Sequence, residues 1–114
     1  MENILFNELR IRGFQVDVGI LDKYAKDEHQ KTIKSTYEVD FVASKESRKY
    51  YIQSAYRMDT PEKEAQEKYS LQNINDSFKK IVVVRDNIRP RRDESGILTL
   101  GIQLFLMDEN AMDL

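Results

Sequence analysis

Two stretches decide how this chain reads: Thr36-Tyr-Glu-Val-Asp-Phe-Val-Ala43 and, after a polar turn over Ser44 to Arg48, Lys49-Tyr-Tyr-Ile-Gln-Ser-Ala-Tyr56. In the first, Val39, Phe41 and Ala43 alternate with Glu38, Asp40 and Val42, the period of a strand with one apolar face. The second is almost continuously apolar, so it is expected to be a central strand covered on both sides. Just upstream, Phe14-Gln-Val-Asp-Val-Gly-Ile-Leu21 alternates too, which predicts a strand burying Phe14, Val16, Val18 and Ile20 on one face. Three strands so close in sequence form an antiparallel meander.

Helices are expected on either side of this meander. Asn3 to Arg12 carries Ile4, Leu5 and Leu9 at helical spacing, and Gly13 is a natural stop. Downstream, Thr60 caps a second helix with Pro61 at its first position and Glu62 and Glu64 near the positive end of the dipole. That helix runs to Leu71 or Gln72, and Ala65, Tyr69 and Leu71 are expected to point inward. After a connection over Asn73 to Phe78, Lys80-Ile-Val-Val-Val84 is a short β-branched strand, placed parallel to the third by a right-handed crossover. The charged segment Asp22 to Ser35 reads as a loop or hairpin extension, and Asp86 to Ser95 as a polar loop. Ile97 to Leu100 is expected to be extended, and Ile102 to Leu106 to form a last helical turn against the core. The fold class is therefore α/β, an αβββαβ core with a central mixed sheet flanked by helices.

Composition narrows the functional classes. The 114 residues suit one domain; 40% are hydrophobic and 33% charged, the balance of an ordinary globular chain. With no cysteine there are no disulfides, thiolate metal sites or cysteine nucleophiles. No run approaches the roughly 20 apolar residues of a membrane span, and the N-terminus lacks the pattern of a signal peptide. A cytoplasmic protein without membrane contact is expected. A net charge of −2 means that any nucleic-acid contact must come from a local basic patch. The single histidine, His29, lies in the charged segment, where solvation is the expected state.

The strand order, with the acid Asp40 on the second strand and a polar residue on the third, resembles the restriction-endonuclease-like PD-(D/E)xK fold. In that pattern an acid on the second strand and an acid-x-lysine on the third hold Mg²⁺ and orient the attacking water, often with a glutamate from the first helix. The matching positions are Glu8, Asp40 and Gln53, with Ala55 where the lysine would stand. More closely, the chain is similar to a C-terminal domain of unknown function that follows the ATPase domain of many bacterial and archaeal AAA-type proteins. The strings that carry this likeness are Asn3-Ile-Leu-Phe-Asn-Glu-Leu-Arg-Ile-Arg-Gly-Phe14, Glu38-Val-Asp-Phe-Val-Ala43, Tyr50-Tyr-Ile-Gln-Ser-Ala55, Asp76-Ser-Phe-Lys-Lys-Ile-Val-Val-Val84 and Ile88-Arg-Pro-Arg-Arg-Asp-Glu-Ser-Gly-Ile-Leu98. The resemblance implies a preceding ATPase domain as partner, and Met1 is then expected to mark a domain cut from a longer protein. No Gly-x-x-x-x-Gly-Lys run is present in these residues.

The departures from the nuclease pattern decide the functional expectation. Gln53 brings a neutral carbonyl in place of a carboxylate, and Ala55 brings nothing in place of lysine. Loss of the water-positioning cation alone should cost about 10²- to 10⁴-fold in rate. Arg57, two residues on, is the one substitute cation nearby, and its pKa is too high for a base. Glu8, Asp40 and Gln53 are thus expected to be a vestigial site, with Glu8 and Asp40 its metal ligands if Mg²⁺ still binds. A Gln53–Asp40 hydrogen bond in place of the metal is the competing expectation, as are a plain surface role for Glu8 and solvation for Asp40. Arg85, Arg89, Arg91 and Arg92 form a candidate nucleic-acid contact, set against a solvated loop neutralised by Asp86, Asp93 and Glu94. Three functions follow in order: a non-catalytic accessory or regulatory domain of an AAA-type ATPase, a metal-dependent nuclease with an unorthodox Asp40/Gln53 site, and a stand-alone interaction module.

Overall fold

The structure, a computed structural model, describes all residues from Met1 to Leu114. The chain forms α1 (Glu2–Ile11), β1 (Gln15–Lys26), β2 (Thr32–Lys45), β3 (Arg48–Ala55), α2 (Pro61–Gln72), β4 (Lys79–Val84), β5 (Arg91–Arg92), β6 (Leu98–Gly101), α3 (Ile102–Met107) and a closing 3₁₀ turn (Ala111–Asp113). One six-stranded sheet has the order β1-β2-β3-β4-β6-β5. β1, β2 and β3 are the antiparallel meander; β4 joins β3 in parallel and β6 joins β4 in parallel, while β5 is a two-residue antiparallel edge. This is the mixed sheet flanked by helices that the sequence predicts.

The central strands fix the layers. Along β4, Ile81 and Val83 face one side and Val82 and Val84 the other, and all four are buried. On the first side α1 contributes Leu5 and Leu9, α3 contributes Phe105, and the 3₁₀ turn contributes Met112. On the second side α2 and its C-terminal exit supply only Leu71 and Ile74, packed with Tyr51 and Ala55 of β3 and Ile97. The Thr60 hydroxyl accepts the Lys63 amide at 3.1 Å, so α2 starts where the sequence places it. Its inward residues differ, however. Ala65 and Tyr69 are exposed, and the buried positions are Leu71 and Lys68. With few apolar residues to dock, α2 is held by Leu71 together with charge pairing of Lys68.

The first strand also departs from expectation. β1 continues through Lys26 and β2 starts at Thr32, so of the two expected forms of the charged segment it is the hairpin extension that is found. Its tip is closed by the Asp27 carboxylate, which accepts the amides of His29 and Lys31, both at 2.9 Å. His29 is solvated, as expected. Phe14 is buried and Val16 half-buried, but Val18 and Ile20 are 67% and 64% exposed. They lie on the α1 side of the sheet, beyond the stretch of it that the ten residues of α1 cover.

Where β6 ends, the backbone passes close to the loop after β4. A Cβ added at Gly101 would lie 2.6 Å from the Asp86 carbonyl oxygen and 3.3 Å from the Ile88 nitrogen. Gly101→Ala is therefore expected to destabilise the protein by about 1–3 kcal/mol, the usual cost of overpacking against backbone, in urea unfolding. Gly96, at φ +80° but with open space around it, should lose less on Gly96→Ala, about 1 kcal/mol.

Candidate functional site

Asp40 stands at an irregularity in β2. Asp17 pairs with Val42, but two residues further along β1, Gly19 pairs with Val39, so β2 carries one extra residue there. Such a bulge turns the side chains that follow onto the opposite face. The sequence places Val39, Phe41 and Ala43 on one face; in the fold Phe41 and Ala43 pack under α1 while Val39 packs under α2. Asp40 is left half-buried at the crossover. Its carboxylate Oδ2 accepts the Ser54 backbone N–H at 2.8 Å and the Ser54 hydroxyl at 2.7 Å. The Gln53 carbonyl Oε1 accepts the Asp40 backbone N–H at 3.1 Å. The expected link between Gln53 and Asp40 thus exists, but through the Asp40 main chain, and Ser54 holds the carboxylate.

Glu8 is not part of this arrangement. It pairs with Arg12 one turn later, at 3.0 Å, on the stretch of α1 beside α3. The α1 acid that does approach is Glu2, whose Oε1 lies 3.4 Å from the Ser54 hydroxyl. Neither Glu2 nor Ser54 was legible as a site residue. The one signal for Ser54 was its place between Gln53 and Ala55, and Glu2 depends on how α1 lies across the sheet. Ala55 is buried in the α2-side cluster, and Arg57 lies past the end of β3, exposed, rather than on the strand face. No three His, Cys, Asp or Glu side chains group as a metal centre. A Mg²⁺ cage needs several hard oxygens gathered together; here Asp40 Oδ2 and Gln53 Oε1 are engaged by donors of the neighbouring strand, and Glu8 is turned to Arg12. Glu8, Asp40 and Gln53 are not gathered as a cage for the ion.

Of the four arginines, Arg91 and Arg92 diverge. Arg85 lies over the Tyr56 ring at 4.7 Å, and Arg89 is exposed. Arg91 and Arg92 are neighbours on β5 and so leave the sheet on opposite faces. Arg91 approaches Glu64 of α2 at 3.7 Å, whereas Arg92 donates to the Leu114 carbonyl oxygen on the other side. Arg91 and Arg92 therefore do not share one basic patch.

Arg91 instead borders an ionic cluster that docks α2. The Lys68 side chain is only 4% exposed, and its ammonium bonds Glu64 at 2.7 Å and Asp93 at 2.8 Å. Burial works against the Lys68 charge, but hydrogen bonds to Asp93 and Glu64 outweigh it and raise the pKa above its ordinary value. For Asp93, burial pushes the other way from its bonds to Lys68 and to the Ile97 and Ser95 amides, and the result is a lowered pKa. Glu64 is lowered chiefly by its bond to Lys68.

No family model matches the chain. Over 83 residues it is 37% identical to a protein of Haemophilus influenzae that bears the name "Uncharacterized protein"; the match covers 73% of this chain. The chain spans 17% of the length of that relative.

The pH dependence of the α2 cluster has a definite sign. A lowered carboxylate contributes stability above its ordinary value and loses it as pH falls through the lowered one; a raised lysine contributes below its ordinary value and loses it as pH rises past the raised one. The cluster should hold between these limits and weaken below the ordinary carboxylate values of 4.5 and 3.8 and above the ordinary lysine value of 10.5. Lys68→Met should destabilise at pH 7, by less than the roughly 3–5 kcal/mol of a wholly buried pair because both carboxylates reach solvent. In urea unfolding across pH, the gap between wild type and variant should close as pH drops below 3.8.

Proposed function

We propose that the chain is a non-catalytic accessory or regulatory domain of an AAA-type ATPase, with a restriction-endonuclease-like core whose nuclease site is degenerate. The observation that carries this reading is the state of Asp40. The carboxylate that would hold a metal is hydrogen-bonded to Ser54, the Gln53 oxygen is turned to the main chain, and Ala55 supplies no cation. What was a site for chemistry then serves as a tie between β2 and β3 at the bulge. The sequence strings similar to the C-terminal domain that follows AAA-type ATPases support the partner, and cytoplasmic residence follows from it. No helix is long and apolar enough to cross a membrane.

Protein contact is favoured over nucleic-acid contact. Two of the arginines that would grip phosphates, Arg91 and Arg92, leave on different faces, while the hairpin arm exposes Val18, Ile20 and Tyr24, at 67%, 64% and 63%, along one face of an edge strand. Apolar groups so placed suit a protein surface better than a polyanion.

Incubation with supercoiled, linear and branched DNA in Mg²⁺ or Mn²⁺ is expected to give no cleavage. Cleavage by wild type that Asp40→Ala abolishes would overturn the reading. The same substitution is expected to destabilise the fold by about 1–3 kcal/mol, because it leaves a Ser54 N–H without its acceptor in a half-buried setting.

A further inference from the structure

At the end of the β2–β3 pair away from Asp40, the structure holds a second polar site that the nuclease likeness does not include. A cleft of about 200 Å³ opens between the C-terminal end of α1, the β2–β3 turn and the segment after α3. Three cations line it: Arg12, Lys45 and Arg48. The Phe14 ring lies beneath two of them, with the Lys45 ammonium 5.7 Å and the Arg48 guanidinium 5.9 Å from its centre. Phe14 is itself fixed edge-on to Tyr50, the rings 5.7 Å apart.

The cations are poorly satisfied within the chain. Arg12 uses Nε on Glu8 and Nη2 on the Phe105 carbonyl, and its Nη1 is buried with no acceptor. Lys45 gives one bond to the Arg12 carbonyl oxygen, at 2.9 Å. Neither Lys45 nor Arg48 has a carboxylate partner, since the ion pairs of the molecule fall elsewhere. Two carboxylates share the cleft. Asp113 is engaged by the Tyr50 hydroxyl at 2.6 Å, and Glu109 sits exposed at the rim. Donors that outnumber their acceptors around a small concave space are the arrangement that recognises an oxyanion.

We infer that this cleft binds a small tetrahedral dianion, phosphate or the terminal phosphate of a phosphomonoester, on Arg48 and Lys45 with Arg12 behind them. A phosphate oxygen is a multiple acceptor, matching guanidinium forks better than a single carboxylate does. The size of the cleft suits one such group and not a polymer. The site is independent of the proposed ATPase role.

The test is a titration of the 114-residue chain with inorganic phosphate at low ionic strength, followed by amide NMR shifts. Sodium chloride at matched ionic strength serves as blank, and dimethyl phosphate as the bulkier monoanion. Saturable shifts are expected at Gly13, at Glu46 to Lys49 and at Asn110 to Asp113, with dimethyl phosphate weaker. The double variant Lys45→Gln, Arg48→Gln should weaken phosphate by about tenfold or more, while Lys31→Gln on the distant arm should not. Melting curves confirm that each variant is folded. Shifts that do not saturate, an unchanged affinity in the folded double variant, an equal loss in Lys31→Gln, or equal binding of dimethyl phosphate would each overturn the assignment.

Discussion

The constraint on which this fold depends is that β4 is buried on both faces. Ile81, Val82, Val83 and Val84 leave no polar side to give to solvent, so the chain must supply a cover above the sheet and another below. The two covers are made differently. Above, α1, α3 and the 3₁₀ turn bring Leu5, Leu9, Phe105 and Met112, and the joint is hydrophobic. Below, α2 offers little apolar surface, and its docking rests on Leu71 together with the Lys68–Glu64–Asp93 cluster. Both faces rest on burial, but only the α2 face adds a buried ionic cluster, so pH acts more strongly on that face.

The bulge in β2 links this architecture to the candidate site. A regular β2 would send Val39 and Phe41 to the same side; the extra residue lets one chain feed both cores within three positions. Asp40 sits at the turnover, where ladder pairing is broken and main-chain groups need other partners. Its own N–H is taken by Gln53, and its carboxylate takes the Ser54 N–H. The polar residues that interrupt two apolar strands are therefore the ones that repair the ladder.

Much of this was legible in local pattern. The parallel strand at Lys80 to Val84 announces itself through an unbroken β-branched run, and the Thr60-Pro61 start of α2 through capping chemistry. Position Asp40 was legible as the acid of an apolar strand. Its partner Ser54 was not, because the choice among neighbouring donors depends on the bulge, and a period of two carries no mark of an added residue. Val18 and Ile20 were misread for a related reason: alternation shows that a strand has an apolar face, but not whether a helix is long enough to cover it. Arg91 and Arg92 were read as one group because they are adjacent in sequence. A two-residue strand suffices to send Arg91 and Arg92 to opposite sides. Lys68 was passed over because a lysine in a charged helix gives no sign that two acids wait for it, one of them 25 residues away.

The hairpin arm has a consequence for how the molecule breathes. Past Leu21 and Tyr37, β1 and β2 are joined to each other through ladder pairs from Asp22↔Thr36 to Lys26↔Thr32, and no third strand runs alongside. A two-stranded ribbon of that kind is only marginally stable by itself. Its amides should therefore exchange with solvent through local fraying from the Asp27–Lys31 tip, and those of β4 through opening of the sheet as a whole. The arm and the core thus report two different free energies from a single chain.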